Sequence, residues 1–543
     1  MNPINRRSML LAGLGAAAAG ALAACGSSRG TPALVSASDP AVATAEKNRT
    51  RTGATRKVTL VAAPARVDLG AGLLADTWAF SGRTPGKELR VSAGDLVAAT
   101  LSNQLPQKTP TSVHWHGIAL RNDMDGVPPV TQAAVRGGSN FTYRFLTDAP
   151  GTYFFHPHVG VQLDRGLHAP LIVEDPKEPL AYDEEWVVVL DDWLDGVTGT
   201  PDEAFAELRQ GMGDMHMGSH SAGSPGASGN GHSMGDMGGM DMSGGAMGGM
   251  SASPSASSSG RGRSMKFMLM GAQSTLLGGD AGDVKYPYHL VNGRVPADPQ
   301  VYRSKPGKRI RLRLINAGGD TAYRVALGGH KLTLTHTDGF PVQHQQVDAL
   351  LIGMGERYDV LVTLGDGVFP LVAAAEGKNA NGMAVVRTGS GSRPTATVRP
   401  RELDGKLVTA SQLRAADEVR LASKKAERRH RIELTGGMRT YNWAINGERF
   451  DVRNPTAHPI VVEQGQRVRL DFVNTTSMWH PIHLHGHTYQ VGSSGPRKDT
   501  TIVLPNKTVS VFFDADNPGR WLLHCHNAYH GEAGMMALVA YQA

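Results

Sequence analysis

The chain has 543 residues, of which 40% are hydrophobic and 19% charged, with 66 glycines and 31 prolines. This composition is typical of a turn-rich globular protein, and at roughly 150 residues per domain the length predicts about three domains. The formal net charge is +6, but the basic residues are scattered and form no continuous block, which argues against a nucleic-acid-binding protein.

The first 25 residues predict an export signal. Arg6 and Arg7 precede an apolar, alanine-rich run over 9–24, which is too short for a membrane span. The arginine pair indicates the twin-arginine export route. Residues 22–25 resemble a lipobox, so we expect cleavage before Cys25, acylation of its thiol and attachment of the exported protein to the cell membrane through this lipid. The alternative is a soluble exported protein in which Cys25 occurs by chance.

Short strands are predicted for most of the remaining chain. Residues 26–52 are rich in Ser, Ala, Thr and Pro without periodicity, and a flexible tether is expected there. From Val58 onward, runs such as Arg309-Ile-Arg-Leu-Arg-Leu alternate with period two between Gly, Pro and Asn turns, which predicts strands with one buried face. The predicted fold class is therefore all-β, built from several Greek-key β-sandwiches.

A segment rich in Met, Gly and Ser interrupts this pattern over 208–263. Nine methionines lie between Met212 and Met250, with three histidines among them. Such a composition cannot form a packed core, so a disordered or mobile insertion is expected. Thioethers are soft donors that favour Cu(I), which predicts a role in metal recruitment. The alternative is a low-complexity linker in which methionine is incidental.

Four short motifs each contain two histidines two residues apart. Residues i and i+2 of a strand point to the same face, so each motif aims two imidazoles in one direction. Two motifs lie near the N-terminus and two near the C-terminus, which predicts two similar terminal domains with another between them. The eight histidines are His114, His116, His156, His158, His483, His485, His524 and His526.

Cys525 selects among the metals that imidazole binds. It lies between the two histidines of the last motif, so on an extended chain its sulfur points to the opposite face. There, His480, His530 and Met535 can complete a set of one thiolate, two imidazoles and a weak axial thioether, which is that of a blue-copper electron-transfer site. An electron entering at Cys525 crosses only adjacent residues to reach metals held by the flanking histidines.

The motifs, in this order and location, resemble those of the three-domain multicopper oxidases. The likeness extends to the middle of the chain, where Leu290-Val-Asn-Gly and Met354-Gly-Glu-Arg-Tyr-Asp-Val resemble the family's second domain. It implies cupredoxin-like domains over 53–176, 177–395 (containing the insertion) and 430–543, with a linker over 396–429.

The resemblance also implies four copper ions per chain, with the type 1 copper in the third domain. Type 1 copper would be held by His480, Cys525, His530 and Met535, and type 2 copper by His114 and His483. The type 3 pair would be held by His116, His156, His158, His485, His524 and His526. Members of the family oxidise a reducing substrate one electron at a time and reduce dioxygen to two waters.

Two acidic residues are candidates for proton delivery. Asp125 stands eleven residues after His114, where related copper-efflux oxidases carry an acid near type 2 copper; otherwise it is a turn residue. Those relatives often have Glu directly after the last type 1 histidine. This chain has Gly531 there, so Glu532 becomes the candidate second donor.

The predicted function is oxidation of Cu(I) to Cu(II) coupled to reduction of dioxygen, serving copper tolerance. The Met-rich segment and Met478 resemble features of the copper-efflux oxidases, although their matching acid is Thr476 here. One alternative is a laccase-type oxidase of phenols and aromatic amines, and another is a copper-sequestering lipoprotein without turnover. The expected partners are dioxygen and Cu(I) or another small reducing substrate, and the expected oligomeric state is a monomer.

Overall fold

The computed structural model describes residues 33–213 and 265–543. In these ranges the chain consists mainly of strands in facing sheets, which confirms the all-β prediction. The helices of the described residues are α1 (Pro40–Lys47), α2 (Pro201–Leu208) and α3 (Ala528–Ala533). None of them is long and apolar enough to cross a membrane. The predicted export signal and most of the Met-rich insertion lie outside the described residues.

The first sandwich comprises two four-stranded sheets. Its strands are β1 (Thr55–Gly70), β2 (Leu73–Phe80), β3 (Leu89–Ser92), β4 (Asp95–Asn103), β5 (His114–His116), β6 (Asn140–Thr147), β7 (Gly151–His156) and β8 (Ala169–Glu174). The sheet orders are β2-β1-β4-β6 and β3-β8-β7-β5. Between the sheets lies a core that contains Trp115 and Phe145.

The middle sandwich comprises two six-stranded sheets and a small two-stranded one. Its strands are β9 (Glu184–Trp193), β10 (Gln273–Ser274), β11 (Gly279–Asp280), β12 (Tyr288–Val291), β13 (Val301–Arg303), β14 (Arg309–Asn316), β15 (Tyr323–Leu327), β16 (Leu332–Thr337), β17 (Phe340–Val347), β18 (Ala349–Ile352), β19 (Arg357–Thr363), β20 (Val368–Ala375), β21 (Ala380–Arg387) and β22 (Leu407–Val408). The large sheets have the orders β12-β9-β14-β19-β16-β17 and β13-β21-β20-β15-β18-β22.

The third sandwich comprises a six-stranded and a five-stranded sheet. Its strands are β23 (Arg428–Thr435), β24 (Ala444–Ile445), β25 (Ile460–Val462), β26 (Arg467–Asn474), β27 (His480–Leu484), β28 (Tyr489–Val491), β29 (Arg497–Lys498), β30 (Thr500–Val503), β31 (Thr508–Asp514), β32 (Arg520–Cys525) and β33 (Met536–Tyr541). The sheet orders are β24-β23-β26-β31-β28-β29 and β25-β33-β32-β27-β30.

One pairing recurs in all three sandwiches. A parallel ladder joins β1 to β4, β9 to β14 and β23 to β26. Each sandwich also buries its own apolar core. The likeness predicted for the terminal domains therefore extends to the middle one.

The flexible tether predicted over 26–52 includes a helix and buried contacts in the part that the structure describes, residues 33–52. Asp39 caps α1 by accepting a hydrogen bond from the Ala41 N–H group, and Val42 on this helix is 2% exposed. The Val35 N–H group donates to the Tyr541 carbonyl oxygen at 2.9 Å. Two buried valines are too few to create a periodic pattern, so tertiary contacts rather than local sequence order this segment.

The predicted ends of the middle domain also need correction. β22 lies inside the predicted linker yet pairs with β18 of the middle domain, and Leu413 beyond it is fully buried. β23 of the third domain begins at Arg428, two residues before the predicted boundary. The insertion was expected from residue 208, but Leu208 ends α2 and is fully buried.

Candidate metal centres

Each of the four histidine motifs has its first histidine on a strand of the first or third sandwich. β5 consists of the first motif and pairs with β7, so that His114 lies opposite His156. In the third domain β27 pairs with β32, so that His483 lies opposite His524. Period-two strand geometry applies directly to His114 and His116, whereas His158, His485 and His526 follow the ends of β7, β27 and β32.

Imidazoles from the two terminal domains meet in one buried centre. The ring centroids of His114 and His483 lie 5.7 Å apart. His114 also stacks on His485, with centroids 3.8 Å apart, and His116 stacks on His483 at 3.9 Å. The centre therefore exists only while the first domain is docked on the third.

Six of the imidazoles form two triplets within this centre. In the first triplet the ring centroids are 4.8, 5.3 and 5.8 Å apart. In the second they are 5.0, 5.1 and 5.2 Å apart, and one ligand nitrogen from each ring lies within 4.8 Å of the others. The triplets are His116, His156 and His526, and His158, His485 and His524. Each triplet takes ligands from both terminal domains.

Several buried ring nitrogens of these histidines have no hydrogen-bond partner among the described residues. They are His114 Nε2, His116 Nδ1, His156 Nε2, His483 Nε2 and both ring nitrogens of His526. Leaving a buried polar atom unpaired costs about 1–3 kcal/mol, whereas a bound metal ion would satisfy it. Burial lowers the pKa of His116, His156 and His526 well below its ordinary value, which keeps these imidazoles neutral and able to bind a metal.

A second candidate site surrounds Cys525. Its Sγ lies 3.6 Å from His480 Nδ1 and 3.7 Å from His530 Nδ1, and the two nitrogens are 3.1 Å apart. Met535 is fully buried in the same apolar cluster, and its carbonyl oxygen accepts a hydrogen bond from the Cys525 N–H group at 3.0 Å. The ligand atoms of His480, Cys525 and His530 thus lie together, with Met535 adjoining through its backbone, and both sequence neighbours of the cysteine belong to the other centre.

Comparison with known proteins agrees with this geometry. Three family models described as multicopper oxidase match residues 63–178, 252–391 and 424–543. Multicopper oxidase MmcO of Mycobacterium tuberculosis is 44% identical over 541 residues, which cover 99% of this chain and 96% of that relative. This chain belongs to the multicopper oxidase family.

More distant relatives of the oxidase include a copper resistance protein and a laccase. A copper resistance protein A homolog of Pseudomonas syringae is 28% identical, covering 84% of the oxidase and 87% of that relative. The crystal structure of laccase from Botrytis aclada superposes with a TM-score of 0.69 at 24% identity, covering 92% of the oxidase and 89% of the laccase. This structural likeness supports the fold of three cupredoxin-like domains.

Asp125 of the oxidase contacts two of the clustered histidines. Its Oδ2 atom lies 3.0 Å from His485 Nδ1, and its carbonyl oxygen lies 3.0 Å from His114 Nδ1. It also ends a short 3-10 turn, so the turn interpretation and the site interpretation both describe the residue. Its side chain is fully buried, which leaves the carboxylate oriented by the imidazoles.

Two residues that contact the clustered histidines were missed by sequence analysis. Asp499 Oδ1 lies 3.1 Å from His116 Nε2, and the Asp499 carbonyl oxygen lies 3.0 Å from His483 Nδ1. Thr500 Oγ1 lies 3.2 Å from His116 Nε2. The signal in the sequence is a run of polar residues over 497–501, which the structure places on β29, on the start of β30 and between them.

The imidazoles beside Cys525 also have outer partners. Thr476 Oγ1 lies 2.8 Å from His480 Nε2, and Asp283 Oδ2 lies 2.9 Å from His530 Nε2. The Tyr441 hydroxyl donates to the same Asp283 oxygen at 2.6 Å. Asp283 comes from the middle domain without any motif around it, so no sequence pattern placed it here. Asp283 contacts His530, whereas Thr476 contacts His480.

Glu532 lies at the mouth of a small cavity beside the clustered histidines. The cavity has a volume of about 30 Å³ and is also lined by His158, His526 and Gly531, which is large enough for a water molecule. Glu532 itself is exposed. The acid therefore lies between solvent and the centre, although it is one residue later in the chain than in the related enzymes.

Proposed function

We propose that the oxidase holds four copper ions at these two sites. The type 1 ion would bind to His480, Cys525, His530 and Met535, the type 2 ion to His114 and His483, and the type 3 pair to the two triplets. The convergence of imidazoles from both terminal domains on one buried centre supports this assignment. Bound copper would supply one-electron oxidation of a reducing substrate and four-electron reduction of dioxygen to water.

The copper assignment is tested by metal analysis of the purified protein and of the Cys525→Ser variant. We expect four copper ions and a blue thiolate charge-transfer band in the wild type. The variant should lose the band, one copper ion and oxygen uptake. A colourless, fully metallated wild type would contradict the type 1 assignment. Four bound copper ions without oxygen uptake would instead support the copper-sequestering alternative.

We also propose that the reducing substrate is Cu(I) and that its oxidation serves copper tolerance. The Met-rich segment supplies soft donors, and its flanking residues Met212 and Met265 pack, half-buried, against the apolar cluster that contains Cys525. The Met212 N–H group donates to the Met438 carbonyl oxygen at 3.1 Å. The name of the copper resistance relative agrees with this role. Met478 is 1% exposed, so it is not the first contact of an incoming ion.

Asp283 marks the edge of the type 1 site in this proposal. Its Oδ1 atom is buried without a hydrogen-bond partner among the described residues, while Oδ2 contacts His530 Nε2. Asp283 is fully buried, so its carboxylate orients the His530 imidazole rather than meeting the incoming ion itself. Electrons from Cu(I) would then enter at His530 and leave through Cys525.

The substrate proposal is tested by oxygen consumption with Cu(I), Fe(II) and a phenol as donors. Replacing the eight methionines from Met215 to Met250 by leucine keeps apolar volume but removes thioethers, so Cu(I) turnover should fall much more than phenol turnover. Deleting 221–230, which contains neither methionine nor histidine, controls for chain length and should leave both rates unchanged. Equal loss with both donors, or no loss, would favour the laccase-type alternative.

Asp125 and Glu532 are proposed to deliver the protons that reduction of dioxygen consumes. Asp125 touches the clustered histidines, and Glu532 borders the cavity that leads to them. Asp125→Asn keeps the shape but cannot release a proton, so oxygen uptake should fall about a hundredfold, and Glu532→Gln should also slow it. Asp123→Asn, in the same turn but paired with Arg121, is the matched control. Unchanged rates in both test variants would refute the proton role.

Export by the twin-arginine route and anchoring through acylated Cys25 complete the proposal, with the protein acting as a monomer outside the cytoplasm. The arginine pair and the lipobox support it. Mass spectrometry of the mature protein should detect a lipid on Cys25, and Cys25→Ser should release the protein from membranes. An unmodified thiol in membrane fractions would contradict the anchor.

A further inference from the structure

The middle domain supplies none of the clustered histidines, yet it reaches them through one side chain. Arg357 begins β19 and is fully buried. Its Nη1 and Nη2 atoms each donate to one carboxylate oxygen of Asp499 in the third domain, both at 2.7 Å. This bidentate ion pair fixes the plane of the Asp499 carboxylate as well as its position.

The guanidinium of Arg357 is itself held on several sides. Nε donates to the Thr152 carbonyl oxygen of the first domain at 3.0 Å, and Nη1 donates to the Gly355 carbonyl oxygen at 2.9 Å. The Arg357 backbone N–H group donates to Asp338 Oδ1 at 2.9 Å. One side chain therefore bonds to all three domains, and the Asp499 carboxylate is not free to rotate.

Asp499 transmits this restraint to imidazoles from two domains. Its Oδ1 atom lies 3.1 Å from His116 Nε2 of the first domain and 3.4 Å from His483 Nδ1 of the third. Thr500 Oγ1 lies 2.9 Å from the same oxygen and 3.1 Å from His483 Nδ1. When a carboxylate or hydroxyl binds one ring nitrogen of a histidine, the other ring nitrogen is left to face a metal ion.

The packing around this contact leaves little room for adjustment. A Cβ atom at Gly117 would lie 2.4 Å from Arg357 Nη2 and 2.8 Å from Asp499 Oδ2. On the other side, Lys498 is fully buried and lies 3.1 Å from Asp338 Oδ2. The ion pair is thus enclosed by glycine backbone and by a second buried pair.

We propose that Arg357 is a positioning residue of the histidine centre. By orienting Asp499 it fixes the imidazole planes of His116 and His483, so that metal binding depends on docking of the middle domain. The inference rests on the proposed binding of the type 2 ion and the type 3 pair in the histidine centre. It differs from a merely structural role of a buried arginine, which would change stability but leave the bound copper unaltered.

The chain offers a matched control for that structural role. Arg311 is also a buried arginine of the middle domain, at 2% exposure. Its Nε and Nη2 atoms donate to Asp359 Oδ2 at 3.0 and 2.5 Å. Arg311 thus resembles Arg357 in burial and pairing, but its carboxylate partner does not orient His116 or His483.

The experiment compares copper-loaded Arg357→Lys and Arg357→Gln with Arg311→Lys and Arg311→Gln in the full chain. Lysine keeps the charge but cannot make the paired contact. Loss of an outer partner typically lowers metal affinity about 10–100-fold, so we expect that loss for type 2 copper in both Arg357 variants, measured by chelator competition. The type 2 paramagnetic resonance spectrum should change while the blue band persists.

The Arg311 variants should keep the wild-type type 2 spectrum and affinity. An unchanged spectrum and affinity in the Arg357 variants, or the same losses in the Arg311 variants, would overturn the inference. If Arg357→Gln does not fold, the Asp499→Asn variant is measured instead. A wild-type type 2 spectrum in Asp499→Asn would also overturn the inference. A wild type without any type 2 signal would refute the proposed copper assignment of the histidine centre itself, so the two failures are distinguishable.

Discussion

Replacement of Gly355 by alanine tests whether the middle domain closes one side of the histidine centre. Gly355 adopts φ +81°, and a Cβ atom there would lie 2.9 Å from His526 Cδ2 and 3.0 Å from His116 Cε1. Ordinary Cβ contacts begin near 3.4 Å, so the His526 ring must withdraw by about 0.5 Å. Because a 1 Å displacement of a catalytic group costs about a hundredfold in rate, we expect oxygen uptake to fall about tenfold.

Gly465 provides the control for the backbone alone. It has φ +86°, and a Cβ atom added there would meet no heavy atom of the described residues within 4 Å. Both alanine variants should lose about 1–2 kcal/mol of stability from the left-handed backbone, measured by urea unfolding of the copper-free protein. Only Gly355→Ala should also lower oxygen consumption and copper content. Wild-type activity in Gly355→Ala, or an equal loss in Gly465→Ala, would refute the reasoning.

Two further predictions concern stability. Burial of His289 lowers its pKa to about 3, whereas its pKa in the unfolded chain is about 6.5. Between these two pH values the unfolded chain carries a proton on His289 and the folded chain does not. The free energy of unfolding is therefore highest, as far as His289 is concerned, above pH 6.5. It decreases as the pH falls, by about 2 kcal/mol between pH 7 and pH 5. Urea unfolding of His289→Gln should depend less on pH by that amount, and an unchanged dependence would contradict the assignment. Val42 is 2% exposed, so Val42→Ala should cost about 2 kcal/mol and speed proteolysis before residue 53, whereas Val452→Ala, at 58% exposure, should not. Equal proteolysis of the two variants would show that the N-terminal segment contributes no docking energy.

Local pattern was sufficient for the strands and the histidine motifs. Period-two alternation is a property of a few consecutive residues, so the run at Arg309 was readable as a strand, β14. The expectation of one buried face was wrong for β14, because neighbouring domains and buried ion pairs cover its arginine face as well. The same period placed both imidazoles of a motif on one face and set Cys525 opposite its neighbours. Those relations hold between residues one or two positions apart and need no knowledge of the rest of the fold.

Contacts between distant segments were decided only by the tertiary structure. No sequence motif contains Asp283, Arg357 or Asp499. Their contacts with the site histidines, or with each other, arise from the docking of the three sandwiches. The order of residues 33–52 likewise depends on a few contacts with the C-terminal strand. Sequence by itself determined which atoms can bind metal, because donor chemistry and strand period are local; the docking of the domains decided which of them share a centre, because that geometry arises from packing across the whole chain.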